Sequence, residues 1–310
     1  MKFLTYQIDT NGESKVGVLV NQTQVLDLSS DFVDMLALID GGEEALELVQ
    51  GRVAAGGPKH DIDDLKVNAP LRPRQLRDFI AFELHLKQAM FQTLVRKMGK
   101  GAAYLMTKTG MARIPKVWYE QPMYYKGNRF AISGPDDEIQ WPAYSQVMDY
   151  ELELACVIGK GGKDIPKERA AEFIFGYTIF NDLSARDAQA KEMGIGFHLG
   201  PAKGKDFDGA NVLGPWLVTA DEIPDPYSLQ MSATVNGELW SAGSSASMHW
   251  RFEDMIAWVS QSETLYPGEV LGSGTVGNGC GLEQGRFLAD GDVVELAIEG
   301  LGVLRNRIRR

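Results

Sequence analysis

A pair of glutamates, Glu151 and Glu153, occurs in an apolar run that extends from residue 149 to residue 159. This run predicts a buried strand, in which residues two apart point to the same face of the sheet. Two carboxylates that share a buried face repel each other, so they need a proton or a cation between them. The pair therefore predicts oxygen ligands for a divalent cation, with the exposed polar face of a half-buried strand as the alternative.

A second polar cluster follows a predicted strand at residues 176–180. Asp182, Arg186 and Gln189 come next, at spacings that place all three on one side of a helix. A helix cap with a solvated ion pair is the alternative interpretation of this cluster. A third carboxylate close to the glutamate pair would favour a functional role instead.

His85 stands near the start of a predicted helix. Apolar residues recur there every four positions, which predicts a face packed against the core; they are Phe82, Leu86, Met90, Leu94 and Met98. His85 lies off this stripe. A single histidine is more often structural or exposed than catalytic, so its position alone establishes no function.

Two glycine-rich stretches carry further polar side chains. The first, residues 200–207, contains Lys205 but does not fit the Walker pattern, so a nucleotide-binding loop is excluded. The second, residues 272–283, carries Thr275 and Glu283. An aromatic-rich segment at residues 101–148 is predicted to be irregular and to cover the core.

The composition sets the class of protein. The chain has 310 residues, of which 44% are hydrophobic, and its net charge is -11. These values suit a globular protein with a sizeable core, organised as one large domain and one small one. Nucleic acid is an improbable partner, because phosphate binding needs a basic face. A small anionic substrate remains compatible if basic residues gather locally.

The two cysteines, Cys156 and Cys280, lack partners at metal-site spacing. Cys156 is predicted to be a small core residue, and the low cysteine count fits a reducing compartment. The N-terminus lacks the apolar region of a signal peptide, and no run of residues reaches membrane-spanning length. A cytoplasmic location is therefore expected.

Residues 1–70 predict a small α+β module, and residues 71–310 predict the main domain. A hairpin is indicated by two apolar runs around Asn11-Gly12, and two short helices by apolar spacing that Gly41-Gly42 interrupts. In the main domain, strands are predicted at residues 216–219, 233–235, 238–240 and 293–299. A short helix is predicted at residues 252–259.

Taken together, these segments resemble the fumarylacetoacetate hydrolase family over about residues 74–310. The motifs that carry the resemblance, in chain order, are Asp78-Phe79 with His85 seven residues after the aspartate, Glu151-Leu152-Glu153, Asn181-Asp182-Leu183-Ser184-Ala185-Arg186-Asp187, Gly204-Lys205 and Gly272-Ser273-Gly274-Thr275. The resemblance implies an α+β fold that is mostly β, a mixed β-roll, and a homodimer.

The resemblance also implies a metal site. Its cation would be Mg²⁺, Mn²⁺ or Ca²⁺, held by Asp78, Glu151, Glu153 and Asp182. Hard oxygen ligands suit such ions and not zinc, which agrees with the interpretation of the glutamate pair.

The catalytic groups follow from the same resemblance. His85 is implied as general base, with Glu283 as its orienting partner. Some small relatives place a glutamate three residues after the histidine, where this chain has Gln88. The groups implied to hold the substrate carbonyl and the developing oxyanion are Arg186, Gln189 and Lys205. Those implied to contact substrate are Tyr125 and Thr275.

The implied activity is metal-dependent hydrolysis of a C–C bond in an acylpyruvate or related β-diketo acid. Water activated by His85 would attack a metal-chelated enolate substrate. The alternative is hydration, decarboxylation or isomerisation of a 2-oxo acid from aromatic catabolism at the same site. A ligand-binding or structural relative with an inactive site is a further alternative. Ile80 replaces a tyrosine of the eukaryotic hydrolase, so a different substrate is expected.

Overall fold

The structure is a computed structural model that describes residues 1–9, 12–193 and 200–310. Its strands are β1 (Lys2–Gln7), β2 (Lys15–Leu19), β3 (Gln24–Asp27), β4 (Lys59–Asp61), β5 (Lys66–Asn68), β6 (Leu76–Phe79), β7 (Tyr124–Gly127), β8 (Ile132–Ser133), β9 (Glu138–Gln140), β10 (Met148–Asp149), β11 (Leu152–Ile158), β12 (Gly162–Lys163), β13 (Ile174–Asp182), β14 (Ser184–Ala185), β15 (Asn211–Thr219), β16 (Gln230–Val235), β17 (Glu238–Ser244), β18 (Thr264–Leu265), β19 (Val270–Gly272), β20 (Val293–Ile298) and β21 (Gly302–Arg309). Its helices are α1 (Met35–Asp40), α2 (Gly42–Ala55), α3 (Glu83–Met98), α4 (Lys100–Lys108), α5 (Arg186–Glu192), α6 (Phe252–Val259) and α7 (Gly281–Gln284).

A large mixed sheet organises the described residues. Its main path runs β4-β3-β2-β1-β15-β13-β11-β19-β6-β7. Most neighbours pair antiparallel, whereas β19 and β6 are parallel. The order places β11 beside β13 on one side and β19 on the other, with β6 next. Strands from distant parts of the sequence therefore meet in the middle of this sheet.

A second sheet, in the order β17-β16-β20-β21-β9, packs against the first. Side chains from both sheets share one buried cluster, which includes Leu152 and Leu154 of β11 and Leu296 and Leu304 of the second sheet. Helix α6 contributes Phe252 to the same cluster. The fold is thus α+β with strands predominating.

The N-terminal residues form the predicted hairpin and helices. Strands β1 and β2 pair antiparallel, and α1 and α2 adjoin at Gly41-Gly42, as the sequence indicates. Of the predicted turn, Asn11 lies outside the described residues. Strand β1 also pairs with β15, so these strands extend the large sheet. The division of the chain at residue 70 stays a prediction.

Strand β11 is buried along its whole length, which excludes the exposed-face interpretation of the glutamate pair. Glu153 lies within this strand, and Glu151 forms an isolated bridge to Cys280 just before it. The other predicted strands and α6 are also present in the structure. Because both carboxylates are buried, each must be paired with a cation, be protonated or accept hydrogen bonds.

Two sequence-based expectations were wrong. The apolar stripe reaches the core only at Phe82, which precedes α3: no residue of the helix itself is fully buried, and Met98 is 45% exposed. Helix α3 instead lies at the surface against α4 and α7. Residues 101–148 are not wholly irregular, since they continue α4 and contain β7. Periodicity alone does not reveal whether an apolar face meets the core or another surface helix.

No described helix has the length and apolar character needed to cross a membrane.

We expect Gly176→Ala to destabilise the fold by about 1–3 kcal/mol, because a Cβ at this position of β13 would lie 2.1 Å from the Val218 carbonyl oxygen. That oxygen belongs to the paired strand β15 and cannot retreat without disturbing the sheet. Gly51→Ala is the matched control: it adds the same methyl to an open, exposed position of α2. The control should be stabilising by about 0.5–1 kcal/mol. Urea unfolding measures both, and equal stability of Gly176→Ala and the parent chain would contradict the packing argument.

Candidate active site

Three strands of the large sheet bring together carboxylates that are far apart in sequence. Asp78 lies in β6, Glu153 in β11 and Asp182 at the end of β13. Strand β19 lies between β11 and β6, and its Gly272 is paired with Asp78. A Cβ on Gly272 would stand 2.5 Å from Asp78 Oδ1, so glycine at this position gives the aspartate room to reach across β19.

The carboxylates of Asp78, Glu153 and Asp182 form a cluster suited to a cation. One oxygen from each lies within 4.8 Å of the others, and all three residues are buried. Asp78 Oδ1 and Asp182 Oδ1 are buried without a hydrogen-bond partner among the residues described. An all-oxygen donor set with unpaired buried oxygens fits Mg²⁺, Mn²⁺ or Ca²⁺.

Burial and mutual repulsion control the protonation of this cluster. Burial raises the pKa of Asp78 well above its ordinary value, and the charge of Asp182 adds to the increase. Burial also raises the pKa of Glu153 well above normal, with the charge of Asp78 as the next cause. A bound cation would therefore have to displace protons from these carboxyl groups.

Glu151 has a different environment. Arg186 Nη2 donates to Glu151 Oε1 at 2.7 Å, and Lys205 Nζ donates to Glu151 Oε2 at 2.5 Å. Burial alone would raise the pKa of Glu151, but the charges of Arg186 and Lys205 outweigh it and hold the pKa well below its usual range. Glu151 is thus an anion that anchors two cations, and its role as a metal ligand stays a prediction.

Lys205 joins the two carboxylate environments. Its ammonium group also donates to Asp182 Oδ2, and the side chain is buried. Burial lowers the pKa of Lys205, but Asp182 and Glu151 reverse this and raise it above its ordinary value. Tyr125 donates its hydroxyl to the same Asp182 oxygen at 2.7 Å. Lys205 and Tyr125, both candidate site residues from the sequence, therefore contact the acidic cluster through Asp182.

His85 and Glu283 form a hydrogen-bonded pair. His85 Nδ1 lies 3.1 Å from Glu283 Oε1, and Glu283 Oε2 accepts from the Cys280 backbone N–H at 3.1 Å. The bond from Cys280 fixes the position of Oε2, which leaves Oε1 directed at the imidazole of His85. Since a carboxylate only accepts, the bond favours the tautomer with the proton on Nδ1, which leaves the Nε2 lone pair available.

Amide side chains hold α3 against the loop that carries Glu283. Gln88 Nε2 donates to Asn278 Oδ1 at 2.6 Å, and Asn278 N–H donates to Gln88 Oε1 at 3.2 Å. Gln92 Nε2 donates to the Glu283 backbone carbonyl at 3.0 Å. Gln88, the position where some small relatives have a glutamate, therefore supports the pair of His85 and Glu283 from one helical turn away.

The remaining predicted residues lie close to the same groups. Gln189 Oε1 accepts from Arg186 Nη1 at 3.0 Å, and Thr275 Oγ1 donates to Glu153 Oε1 at 3.4 Å. The predicted helix from Asp182 to Gln189 was wrong in its first part, because Asp182 ends strand β13 and α5 begins only at Arg186. The strand end and the helix start still place Asp182 and Arg186 at one site.

Asp149 is a site residue that the sequence analysis did not identify. It is fully buried, and its Oδ2 accepts from Arg186 Nε at 2.8 Å. The same carboxylate accepts from the backbone N–H groups of Gly281 and Leu282 at 2.8 and 2.9 Å. Asp149 thereby connects Arg186 to the short helix α7, which contains Glu283. A buried aspartate two residues before Glu151 was the available signal, because it needs a partner.

The arrangement has three chemical elements side by side. An acidic cluster can hold a divalent cation, two buried cations can stabilise negative charge on oxygen, and an oriented imidazole can accept a proton. This combination suits reactions that pass through an enolate or oxyanion.

The chain is similar to known proteins in both sequence and fold. A family profile described as "Fumarylacetoacetate (FAA) hydrolase C-terminal" matches residues 94–309. The curated relative "Oxaloacetate tautomerase FAHD2A, mitochondrial" of Homo sapiens is 42% identical over 190 residues, covering 61% of this chain and 59% of that protein. The match thus spans less than two thirds of this relative's length.

Solved structures match the whole chain. A fumarylacetoacetate hydrolase from Exiguobacterium antarcticum has 28% identity and a TM-score of 0.75, with 100% of this chain and 99% of that chain covered. A maleylpyruvate hydrolase from Sphingobium sp. SYK-6, in complex with manganese(II) ion and pyruvate, has the same fold, with 19% identity, a TM-score of 0.75 and the same coverage. These matches confirm the predicted α+β, mostly β fold.

Metal binding should strengthen as pH rises, because Asp78 and Glu153 have raised pKa values and must lose protons to bind a cation. For each proton displaced, Mg²⁺ affinity should rise by up to about tenfold per pH unit until the carboxyl groups are ionised. Calorimetry in two buffers of different ionisation enthalpy measures the protons released. If Mg²⁺ affinity does not change with pH and binding releases no protons, the assignment of Asp78 and Glu153 as ligands is contradicted.

Asp149→Asn should lower kcat by about 10–100-fold, because an amide cannot accept from both Arg186 and the N–H groups of α7, so the charged groups shift. Asp187→Asn is the control, since Asp187 accepts from the Ser145 hydroxyl and the Gln146 N–H. Steady-state kinetics and thermal unfolding are measured for both variants. Asp149 would have no positioning role if both variants lost stability equally and kept the parent kcat.

Proposed function

Because this chain belongs to the fumarylacetoacetate hydrolase family, as its ordered motifs predict, we propose that it is a divalent-metal-dependent enzyme that interconverts the keto and enol forms of a short 2-oxo acid with a second carbonyl group. Oxaloacetate is the representative substrate. The observation that carries the proposal is the pair of His85 and Glu283, hydrogen-bonded at 3.1 Å, in the same site as Lys205, Arg186 and the acidic cluster.

The metal would be held by Asp78, Glu153 and Asp182, together with Glu151 as the fourth predicted ligand. Mg²⁺ is the proposed ion, with Mn²⁺ or Ca²⁺ as alternatives, and when bound it would stabilise negative charge on the substrate oxygens. The unpaired buried oxygens of Asp78 and Asp182 support this assignment, as does the manganese complex of the maleylpyruvate hydrolase.

His85 performs the proton transfer in this proposal. Its Nε2 takes a proton from the carbon between the two carbonyl groups, and the electron pair of that C–H bond moves into the enolate. Glu283 on Nδ1 holds the required tautomer and stabilises the imidazolium that forms. The imidazolium then returns the proton to the enolate oxygen, so that the keto form becomes the enol with no change in composition.

Lys205 and Arg186 stabilise the enolate oxygen. Both cations are already held in place by Glu151, so little reorganisation is needed when charge develops. Gln189, Tyr125 and Thr275 are proposed to orient the substrate around these groups. The substrate class is then a small anion, whose carboxylates suit a local cationic site in an otherwise acidic protein.

Hydrolytic cleavage of a C–C bond in an acylpyruvate is the second candidate, and the imidazole pair also supports it. His85 would take a proton from water, whose oxygen attacks the carbonyl carbon. The C–C bond then breaks, and the carbanion formed takes the proton from the imidazolium. The full-length similarity to a fumarylacetoacetate hydrolase favours this candidate, whereas the 42% identical tautomerase favours the first.

A role in aromatic catabolism, a homodimeric assembly and a cytoplasmic location remain proposals from the sequence. The human relative is named as mitochondrial, which concerns that protein.

The deciding experiment follows the substrate carbon skeleton. With Mg²⁺, oxaloacetate is mixed with enzyme in D₂O, and NMR records deuterium entry at the carbon between the carbonyl groups and the rate of keto–enol exchange. Acylpyruvates are tested in parallel by loss of enol absorbance and by product identification. Tautomerisation leaves the skeleton intact, whereas hydrolysis yields pyruvate and a second acid. Absence of both reactions with Mg²⁺ or Mn²⁺ would overturn the proposal.

His85→Ala should lower kcat for the active substrate by about 10²–10⁴-fold, the usual contribution of a positioned acid–base group. Mg²⁺ affinity should stay nearly unchanged, because the proposed ligands are all carboxylates. His60→Ala is the control, since this histidine lies in β4 at the other end of the large sheet. Parent-level turnover in His85→Ala would leave His85 as a structural residue only.

A further inference from the structure

Cys280 is a buried thiol next to the catalytic pair that the proposed reaction does not use. It is fully buried and directly precedes α7. Donor atoms of His85, Cys280 and Glu283 all lie within 4.8 Å of one another. These atoms are an imidazole nitrogen, a sulfur and a carboxylate oxygen, a donor set distinct from the all-oxygen cluster of Asp78, Glu153 and Asp182.

We propose that His85, Cys280 and Glu283 form a second metal site, which takes a borderline or soft cation such as Zn²⁺, and that occupation of this site inhibits the enzyme.

The donor types favour this class of ion. Nitrogen and sulfur ligands select Zn²⁺ and similar transition metals, whereas carboxylate clusters select Mg²⁺, Ca²⁺ or Mn²⁺. Three protein ligands with one open position are also the usual arrangement of zinc outside structural sites. The two clusters would therefore sort cations by their chemical softness, with the hard ion at the carboxylates and Zn²⁺ at the histidine.

The distances permit such a site with small movements. Donors around tetrahedral zinc lie about 3.3–3.8 Å apart, as follows from metal–ligand lengths of about 2.0–2.3 Å. The donor atoms of the three residues now lie within 4.8 Å of one another, so each donor–donor distance would have to shorten by at most about 1.5 Å. Side-chain rotation can supply a movement of this size. The His85 side chain is 13% exposed, so an ion can approach from its side.

Inhibition follows from the two nitrogens of the imidazole. Nδ1 lies 3.1 Å from Glu283 Oε1, and the tautomer favoured by this contact carries its lone pair on Nε2. A zinc ion between His85, Glu283 and Cys280 would occupy the Nδ1 lone pair, and the single proton of the neutral ring would move to Nε2. His85 could then no longer accept a proton from substrate or water. The Cys280 thiol would release its proton to solvent as the Zn–S bond forms.

The inhibitory effect rests on the proposed role of His85, whereas binding of the ion does not. The test therefore measures binding and activity separately. Enzyme with Mg²⁺ in excess, to keep the carboxylate cluster filled, is titrated with Zn²⁺ against a chromophoric chelator. The same protein is titrated with Co²⁺, whose bond to a thiolate gives a charge-transfer absorption band. Turnover is recorded at each Zn²⁺ concentration.

Cys280→Ser is the decisive variant, because it removes the sulfur and keeps the backbone N–H that binds Glu283. Cys156→Ser is the matched control, since Cys156 is the chain's other cysteine and lies buried in β11. The parent and Cys156→Ser should bind one Zn²⁺ and show the cobalt–thiolate band. Cys280→Ser should lose the band and bind Zn²⁺ about tenfold or more weakly, while its turnover without zinc is retained.

Each outcome decides one point. A cobalt–thiolate band, or equal zinc affinity, that persists in Cys280→Ser would overturn the site. Zinc bound through Cys280 without loss of turnover would uphold the site and disprove the role of His85. If Cys280→Ser does not fold, Cys280→Ala is measured in its place by the same criteria.

Discussion

Repulsion among buried carboxylates is the constraint on which this site depends. Asp78, Asp149, Glu151, Glu153 and Asp182 are all buried within a few side chains of each other, and the cations beside them are Arg186 and Lys205. Ionising all five beside only these two cations is unfavourable, because each buried charge loses its hydration and repels the others. The site resolves this unevenly: Glu151 is paired with both cations, whereas Asp78 and Glu153 keep raised pKa values.

That uneven division separates two tasks. Asp78 and Glu153, which have no cationic partner among the described residues, are available to a divalent ion, and Glu151 and Asp149 hold the cationic side chains. Asp182 belongs to both environments, because Lys205 binds its Oδ2 whereas its buried Oδ1 has no hydrogen-bond partner among the described residues. Asp149 extends the second task, because it binds both Arg186 and the N–H groups of α7. Helix α3 completes the site from its other side through Gln88 and Gln92. His85, the proposed proton acceptor, is therefore positioned by hydrogen bonds rather than by burial in the core.

The sequence predicted those parts of the site that follow from local pattern. Period-two spacing in an apolar run identified Glu151 and Glu153. The family resemblance implied Glu283 as an orienting partner of His85, and the two side chains lie within hydrogen-bond distance in the structure. The function of Asp149 could not be predicted, because its partners at Gly281 and Leu282 are remote in sequence. The position of α3 was mispredicted for a related reason: an apolar stripe does not specify whether its partner is the core or another surface helix.

The order of strands in the large sheet has a consequence for protein synthesis. Strand β19 (Val270–Gly272) lies between β11 and β6. The strand that pairs with β6, which carries Asp78, is therefore translated long after β6 itself. Non-local pairings of this kind are slow to form, since a long loop must close first. During translation β6 would have to wait for β19 to emerge, with its aspartate still hydrated. The carboxylates would thus be brought together only in a late step of folding, after β19 has left the ribosome.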